Sequence, residues 1–154
     1  MTDPGFFITP FQGVSLPNLE PLLYESVQTG LNSLRRLEAD WASGKNRFDQ
    51  PGEAFFLASS LETIVGVCGF NLDPYSRASE AVGRVRRLYV LQSKRCQGVG
   101  RALVESVIDQ AKLARMQEVR VRVGNPDSAG FFLRLGFTPA EQAESYTHSL
   151  RLKN

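Results

Sequence analysis

Between Val82 and Val123 the apolar residues change period twice, and this restricts the fold more than any other feature. Val82–Leu91 (VGRVRRLYVL) reads as a strand that becomes apolar on both faces at its end, as a central strand does. Val99–Met116 reads as a strong amphipathic helix. Val99, Leu103, Val107, Ala111 and Ala114 share one stripe, with Arg101, Glu105, Asp109 and Lys112 off it. Val119, Val121 and Val123 then alternate with Arg120 and Arg122, which predicts a strand with one polar face. Strand, helix and strand in succession call for a sheet with helices packed on it.

The remaining segments fit that scheme. Pro4, Gly5, Pro10 and Gly13 surround Phe6-Phe7-Ile8 and leave room for one short strand. Asn18 is a candidate helix cap. Leu19, Leu22, Leu23 and Val27 recur at helical spacing, as do Leu31, Leu34, Leu37 and Trp41. Gly30 between them predicts two helices, or one broken helix, ending near Gly44. Ala54–Ser59 and Ile64–Phe70 flank Ser60–Thr63, which reads as a hairpin turn; Asn71–Glu80 reads as a polar loop. Asn125 as cap, Pro126 at the first helical position and Asp127 beside the positive dipole end predict a helix carrying Phe131, Phe132 and Leu135. It stops at Gly136, and residues 146–152 alternate as a last strand. The class is α/β (α+β), a mixed sheet flanked by helices.

The chain has 154 residues, which predicts one domain over 1–154. Hydrophobic residues at 42% and a net charge of only +2 exclude disorder. Two cysteines, Cys68 and Cys96, exclude a disulfide scaffold. One histidine, His148, argues against a Cys/His metal site, so no metal is expected. No apolar run is long enough to span a membrane, and the first residues lack the basic start of a signal peptide, so a cytoplasmic protein is expected. The charge is uneven. Arg84 to Arg122 holds ten basic and three acidic residues, a net of +7, leaving −5 for the rest of the +2 chain. Such a local field suits an anionic ligand. It could equally be a set of solvated arginines. A nucleic-acid binder would need a helix-turn-helix or aromatic-basic strand motif, and neither is present.

The chemistry-bearing stretch is Arg95-Cys96-Gln97-Gly98-Val99-Gly100-Arg101-Ala102, between the apolar strand and the amphipathic helix. Glycines let the backbone curl so that several N–H groups point into one small volume, and the helix start adds its own unpaired N–H groups and partial positive charge. This is an anion cradle that fits a pyrophosphate; the plain alternative is a tight strand-to-helix turn needing glycine. Leu103 stands where the dinucleotide fingerprint needs its third glycine, and Arg101-Ala102 where an ATP-type loop needs Lys-Ser/Thr, so both of those loops are excluded.

The run LYVLQSKRCQGVGRALVESVIDQAK resembles the acetyl-CoA-binding motif of the GNAT N-acetyltransferase superfamily, matched at Arg95, Gln97, Gly98 and Gly100. NPDSAGFFLRLGF resembles the family's second motif at Asn125, Ala129, Phe131, Gly136 and Phe137, and IVGVCGF resembles its hairpin strand. The resemblance covers about residues 54–137, with the helices at 19–43 as the variable front end. It implies a splayed mixed sheet in the order β-α-α-β-β-β-α-β-α-β-β, with acetyl-CoA as cosubstrate between the strands at 82–91 and 118–123. By position, backbone groups of Arg95, Cys96, Gln97, Gly98, Val99, Gly100 and Arg101 would hold the pyrophosphate. Leu88 and Val90 would pair with the pantetheine arm, which Asn125 and Phe132 would contact. The N–H of Val90 or Leu91 would polarise the thioester carbonyl.

Two positions depart from the family pattern. Arg84 stands where a Glu commonly takes the amine's proton, and Phe132 where a Tyr commonly protonates the leaving thiolate. Glu80, just before the strand, and Tyr146 are the candidate replacements. Tyr24 is a further acid candidate, while Tyr89 and His148 read as packing residues. A covalent route through Cys96 lacks a neighbouring histidine, and Cys68 reads as a small buried hydrophobe. The expected activity is direct acetyl transfer from acetyl-CoA to a primary amine of a small molecule or peptide, without nucleic acid or membrane. The alternative is an acyl-CoA-binding module or sensor without turnover. A homodimer is compatible with this reading, and residues 14–53 with the strand-end loops, which carry no motif, would choose the amine.

Overall fold

A computed structural model describes residues 5–77 and 79–153; Pro4, named above, lies outside them. The elements are β1 (Phe7–Pro10), α1 (Glu20–Gln28), α2 (Ser33–Ser43), β2 (Ala54–Ser60), β3 (Thr63–Leu72), β4 (Val82–Val90), a 3-10 turn (Gln92–Lys94), α3 (Val99–Leu113), β5 (Glu118–Val121), α4 (Pro126–Arg134), β6 (Thr138–Pro139) and β7 (His148–Arg151). The sheet runs β1-β2-β3-β4-β5-β7-β6. Every pairing is antiparallel except β4 with β5, the two strands that α3 connects.

Each sheet face has its own core. On one face α3 buries Val99, Leu103, Val104, Val107 and Ala111 against Ala58, Val65, Cys68, Phe70, Val85 and Val119. On the other, α1 and α2 bury Leu22, Leu34, Leu37 and Trp41 against Phe48, Phe55, Leu57, Val67 and Tyr89. The Trp41 and Phe55 rings meet edge-on at 5.1 Å. Gly69 is needed here, since a Cβ would lie 2.3 Å from the Phe48 ring.

Several boundaries differ from the sequence reading, each for a local reason. β3 runs on to Leu72 because Asn71 and Leu72 pair with Arg84 and Gly83 of β4, and Glu53 accepts from the Leu72 N–H and the Asn71 amide, both at 2.9 Å. The hairpin turn narrows to Leu61 and Glu62, both left-handed. Leu31 is exposed rather than part of the apolar stripe, because Gly30 is left-handed and α2 begins only at Ser33. β5 stops at Val121, since the Val123 N–H donates to Thr147 Oγ1 instead of to a strand. β7 therefore begins at His148, with Tyr146 outside it.

One irregularity shapes the centre of the sheet. Register between β3 and β4 passes from Val67↔Tyr89 to Gly69↔Arg86, so Arg87 and Leu88 together stand opposite Cys68. Arg87 is left-handed there, at φ 59°. Such a bulge bends its strand and re-aims its side chains.

Candidate active site

The parallel strands part early. β4 and β5 pair only from Val82↔Glu118 to Arg84↔Arg120, while β4 continues to Val90. Beyond Arg84 the sheet opens into a cleft. The Leu91 N–H donates to Val65 C=O at 2.9 Å and so belongs to the β3 side. Val90, opposite Gly66, is then a non-hydrogen-bonded pair of the antiparallel ladder, and its own N–H and C=O face the cleft. The same alternation turns Leu88 to the cleft. Val90 C=O accepts from Arg95 Nε at 2.9 Å, which leaves the Val90 N–H as the donor aimed at the opening. Of the two candidate polarising groups, Leu91 is thus already committed.

The cradle closes the same end. Cys96 and Gly98 are both left-handed, at φ 63° and 89°, between the 3-10 turn and α3. Alternating handedness of this kind turns successive N–H groups inward. The first bond across the start of α3 runs from Ala102 N–H to Gly98 C=O at 3.0 Å, leaving the N–H groups of Val99, Gly100 and Arg101 over. A Cβ on Gly98 would meet no atom within 4 Å, so an anion can approach that backbone directly. A Cβ on Gly100 would lie 3.4 Å from the Phe131 ring and 3.7 Å from Val90, in the passage between cradle and cleft. The side chains point elsewhere: Gln97 donates to Ser93 C=O at 3.0 Å, Arg101 pairs with Glu105 at 2.8 Å, and Val99 is buried. The backbone groups, with Arg95 beside them, fit a pyrophosphate.

Leu88, Val90, Arg95, Cys96, Gln97, Gly98, Val99, Gly100 and Arg101 therefore lie together. Of the others, Phe132 shares the buried cluster of Val90 and Val99, while Glu80, Asn125 and Tyr146 are held by partners of their own. Glu80 precedes the opposite end of β4, with the whole strand between it and Val90. Its carboxylate accepts from the Arg77 N–H at 3.1 Å and lies 4.0 Å from Arg120, so it is a loop and ion-pair residue out of reach of the cleft. Phe132 is 2% exposed and packs edge-on between Phe131 and Phe137, at 5.0 and 5.1 Å, so it belongs to the core and offers a ligand no surface. Phe131 stands at the passage in its place. Asn125 Oδ1 accepts from Ser128 N–H at 2.8 Å, which makes it the cap of α4. Tyr146 lies over the Arg120 guanidinium at 4.4 Å.

Two acidic residues hold positions that their sequence context does not announce. Asp73, fully buried, accepts from Arg84 Nε at 3.1 Å and Arg120 at 2.8 Å, which explains why an arginine stands at position 84. Arg84 also donates to Ser145 C=O at 2.7 Å. Glu25 of α1 reaches the cleft end of β4, accepting from Tyr89 Oη and from Gln92 N–H at 2.8 Å each, 3.9 Å from Arg95. Burial, and then the Glu25 carboxylate, push the Tyr89 phenol up to about 12. Only helical spacing from Leu22 marks Glu25 in the sequence, and Asp73 sits in an unpatterned loop. Cys96 is exposed; Cys68 is buried, and burial pushes its thiol up. Among the described residues no group of three His, Cys, Asp or Glu side chains could hold a metal ion, and no helix is long and apolar enough to cross a membrane.

Residues 20–137 match the family model described as Acetyltransferase (GNAT) family. A solved acetyltransferase of Exiguobacterium sp. 255-15 is similar over 95% of this chain and 93% of its own, at 27% identity and TM-score 0.82. A GNAT-family acetyltransferase of Staphylococcus aureus Mu50 has the same fold at 18% identity and TM-score 0.71, covering 96% of this chain and 99% of that one. The N-acetylglutamate synthase of Neisseria gonorrhoeae, solved with coenzyme A and N-acetyl-glutamate, is similar at 17% identity and TM-score 0.66, over 96% of this chain but 36% of its own. No curated protein matches the sequence.

Proposed function

The chain belongs to the acetyltransferase (GNAT) family, and from that premise we propose that it is an N-acetyltransferase moving an acetyl group directly from acetyl-CoA to a primary amine of a small molecule or peptide. The observation that carries this reading is the Val90 N–H, left over by the β3 ladder and facing a cleft that ends on the Gly98 cradle. The cosubstrate supplies an activated acyl group as a thioester. The backbone of Arg95, Gln97, Gly98, Gly100 and Arg101 holds its pyrophosphate, and the cleft-facing groups of Leu88 and Val90 align its arm as an added strand would. The Val90 N–H donates to the acyl oxygen as charge grows there; one such donor is worth about 10²–10³ in rate. Holding both partners in one orientation supplies much of the remainder.

This chain's acid–base groups are sparse. Arg84 is locked to Asp73, Glu80 lies at the wrong end of β4, and Phe132 has no proton to give. The amine therefore arrives deprotonated by solvent. The same features support the second reading, a CoA-binding module without turnover. Melting curves and CoA release separate the two. Acetyl-CoA at about 100-fold over its dissociation constant adds roughly 2.7 kcal/mol of stability. Turnover adds CoA release that depends on the amine. An unmoved melting curve refutes both readings, and a moved curve with no release from any amine leaves the module.

A further inference from the structure

On the sheet face opposite α3 lies a cavity of about 690 Å³ between α2, the loop before β2, the end of β3 and the β4 bulge. Its floor is fixed. Asn46 and Asn71 exchange amide hydrogen bonds at 2.9 and 3.0 Å, and Glu53 is committed to Asn71, Leu72 and Gln50. The walls are cationic. Arg86 and Arg87 are consecutive, yet both line the cavity because of the bulge at Arg87, and Arg36 approaches from α2. The guanidiniums of Arg36 and Arg86 have no acceptor among the described residues, and Arg87 has only Asp40, at 3.9 Å. Burial, Arg86 and Arg36 all work against the charge on Arg87, with Asp40 alone opposing them. Three guanidiniums and Lys45 face two carboxylates, of which Glu53 is already committed to the amide floor; the cavity is net cationic and arranged for an oxyanion that is not part of the chain.

We propose that this cavity binds the acidic end of the acceptor, so that the substrate is an amine also carrying a carboxylate or phosphate, held by Arg86 and Arg87 with Arg36. The proposal rests on the N-acetyltransferase reading for the amine but on this cavity alone for the anion. The position suits the reaction. Arg87 precedes Leu88, whose backbone faces the cleft, and Val90 lies about 10 Å further at roughly 3.3 Å per residue. An acceptor gripped at the bulge presents its amine towards the Val90 N–H from the sheet face that α3 does not cover.

Calorimetric titration tests the anion half without turnover. The probes are O-phosphoethanolamine and 4-aminobutyrate, each against its counterpart without the acid, ethanolamine and butylamine. Both acidic probes bind at submillimolar to millimolar levels and the counterparts do not. Arg86→Gln and Arg87→Gln each weaken the acidic probes about tenfold, equivalent to about 1.4 kcal/mol. Asp40→Asn, which removes the competing carboxylate, tightens them, an outcome that a misfolded variant would not give. The melting shift with acetyl-CoA is measured on the same proteins, so loss of the cosubstrate site is seen separately from loss of the anion site. Counterparts binding as tightly as the acids, an Arg86→Gln/Arg87→Gln double variant binding like the parent, or no acidic probe binding at millimolar levels overturns the proposal. A phosphate that binds while the carboxylate does not narrows the acceptor to a phosphorylated amine.

Discussion

The Arg84 guanidinium donates through Nε to Asp73 Oδ1 at 3.1 Å, with both side chains buried. Asp73 Oδ2 holds Arg120 of the neighbouring parallel strand at 2.8 Å. One carboxylate thus ties β4 to β5 at the last paired register, directly below the point where they separate. Arg84, which the resemblance puts at the base position, is part of a clamp that holds the two strands together where their pairing ends.

Asp73→Asn therefore leaves the buried Arg84 guanidinium without its counter-charge, while Arg120 keeps Glu118 and Glu80. Breaking a buried pair from one side costs about 3–5 kcal/mol. For a chain of this size that lowers Tm by roughly 10 °C. Arg84→Glu, which restores the family's usual residue, places two carboxylates together and is equally destabilising without raising turnover. Thermal denaturation of both variants checks this, and a parent-like Asp73→Asn curve would refute the clamp.

The proton balance gives a second outcome. With no carboxylate free at the cleft, the rate rises with pH towards the pKa of the acceptor amine and shows no plateau near neutrality. Glu80→Gln leaves that profile in place, because Glu80 lies at the far end of β4. Glu25→Gln lowers the rate without bending the profile, since Glu25 positions Tyr89, Gln92 and Arg95 through the contacts described above. A neutral plateau lost in Glu25→Gln would instead make Glu25 the base.

These outcomes also mark where sequence reasoning reaches its limit. The element order and the glycine turn before α3 were legible because they rest on short-range rules: hydrophobic period, glycine in a left-handed turn, and an Asn-Pro-Asp helix start. The roles of Arg84, Glu80 and Phe132 were not, because they depend on distant partners. Asp73 meets Arg84 and Arg120 only after the loop folds back. Phe132 carries no local mark that separates the core from the passage next to it. Arg86 and Arg87 line one cavity only because of the bulge, which no residue in the sequence announces.

Tyr89 supplies a pH test of stability. Its phenol is held near 12 in the folded chain, against about 10 when unfolded. Between those values the unfolded chain releases the proton and the native one keeps it. Stability contributed by Tyr89 is thus full below pH 10 and falls as pH rises towards 12. Chemical denaturation from pH 9 to 11 shows this loss in the parent and a flatter dependence in Tyr89→Phe. Equal slopes would mean that neither burial nor Glu25 holds the Tyr89 proton in the folded chain.

Cys96 and Cys68 together report on the cradle. Cys96 is exposed inside the Arg95–Gly98 turn, while Cys68 is fully buried with its thiol pushed up by desolvation. Thiolate, not thiol, attacks a disulfide reagent, so native protein titrates one cysteine quickly and the second only after unfolding. A pyrophosphate seated on the neighbouring amides covers Cys96, so acetyl-CoA slows its modification several-fold while a simple amine does not. Gly98→Asn removes that protection with little loss of stability, because asparagine tolerates the left-handed backbone at position 98. Gly98→Val also removes it but adds a strain of about 1–2 kcal/mol. Labelling of Cys96 at the same rate with and without saturating acetyl-CoA would place the phosphates away from this turn.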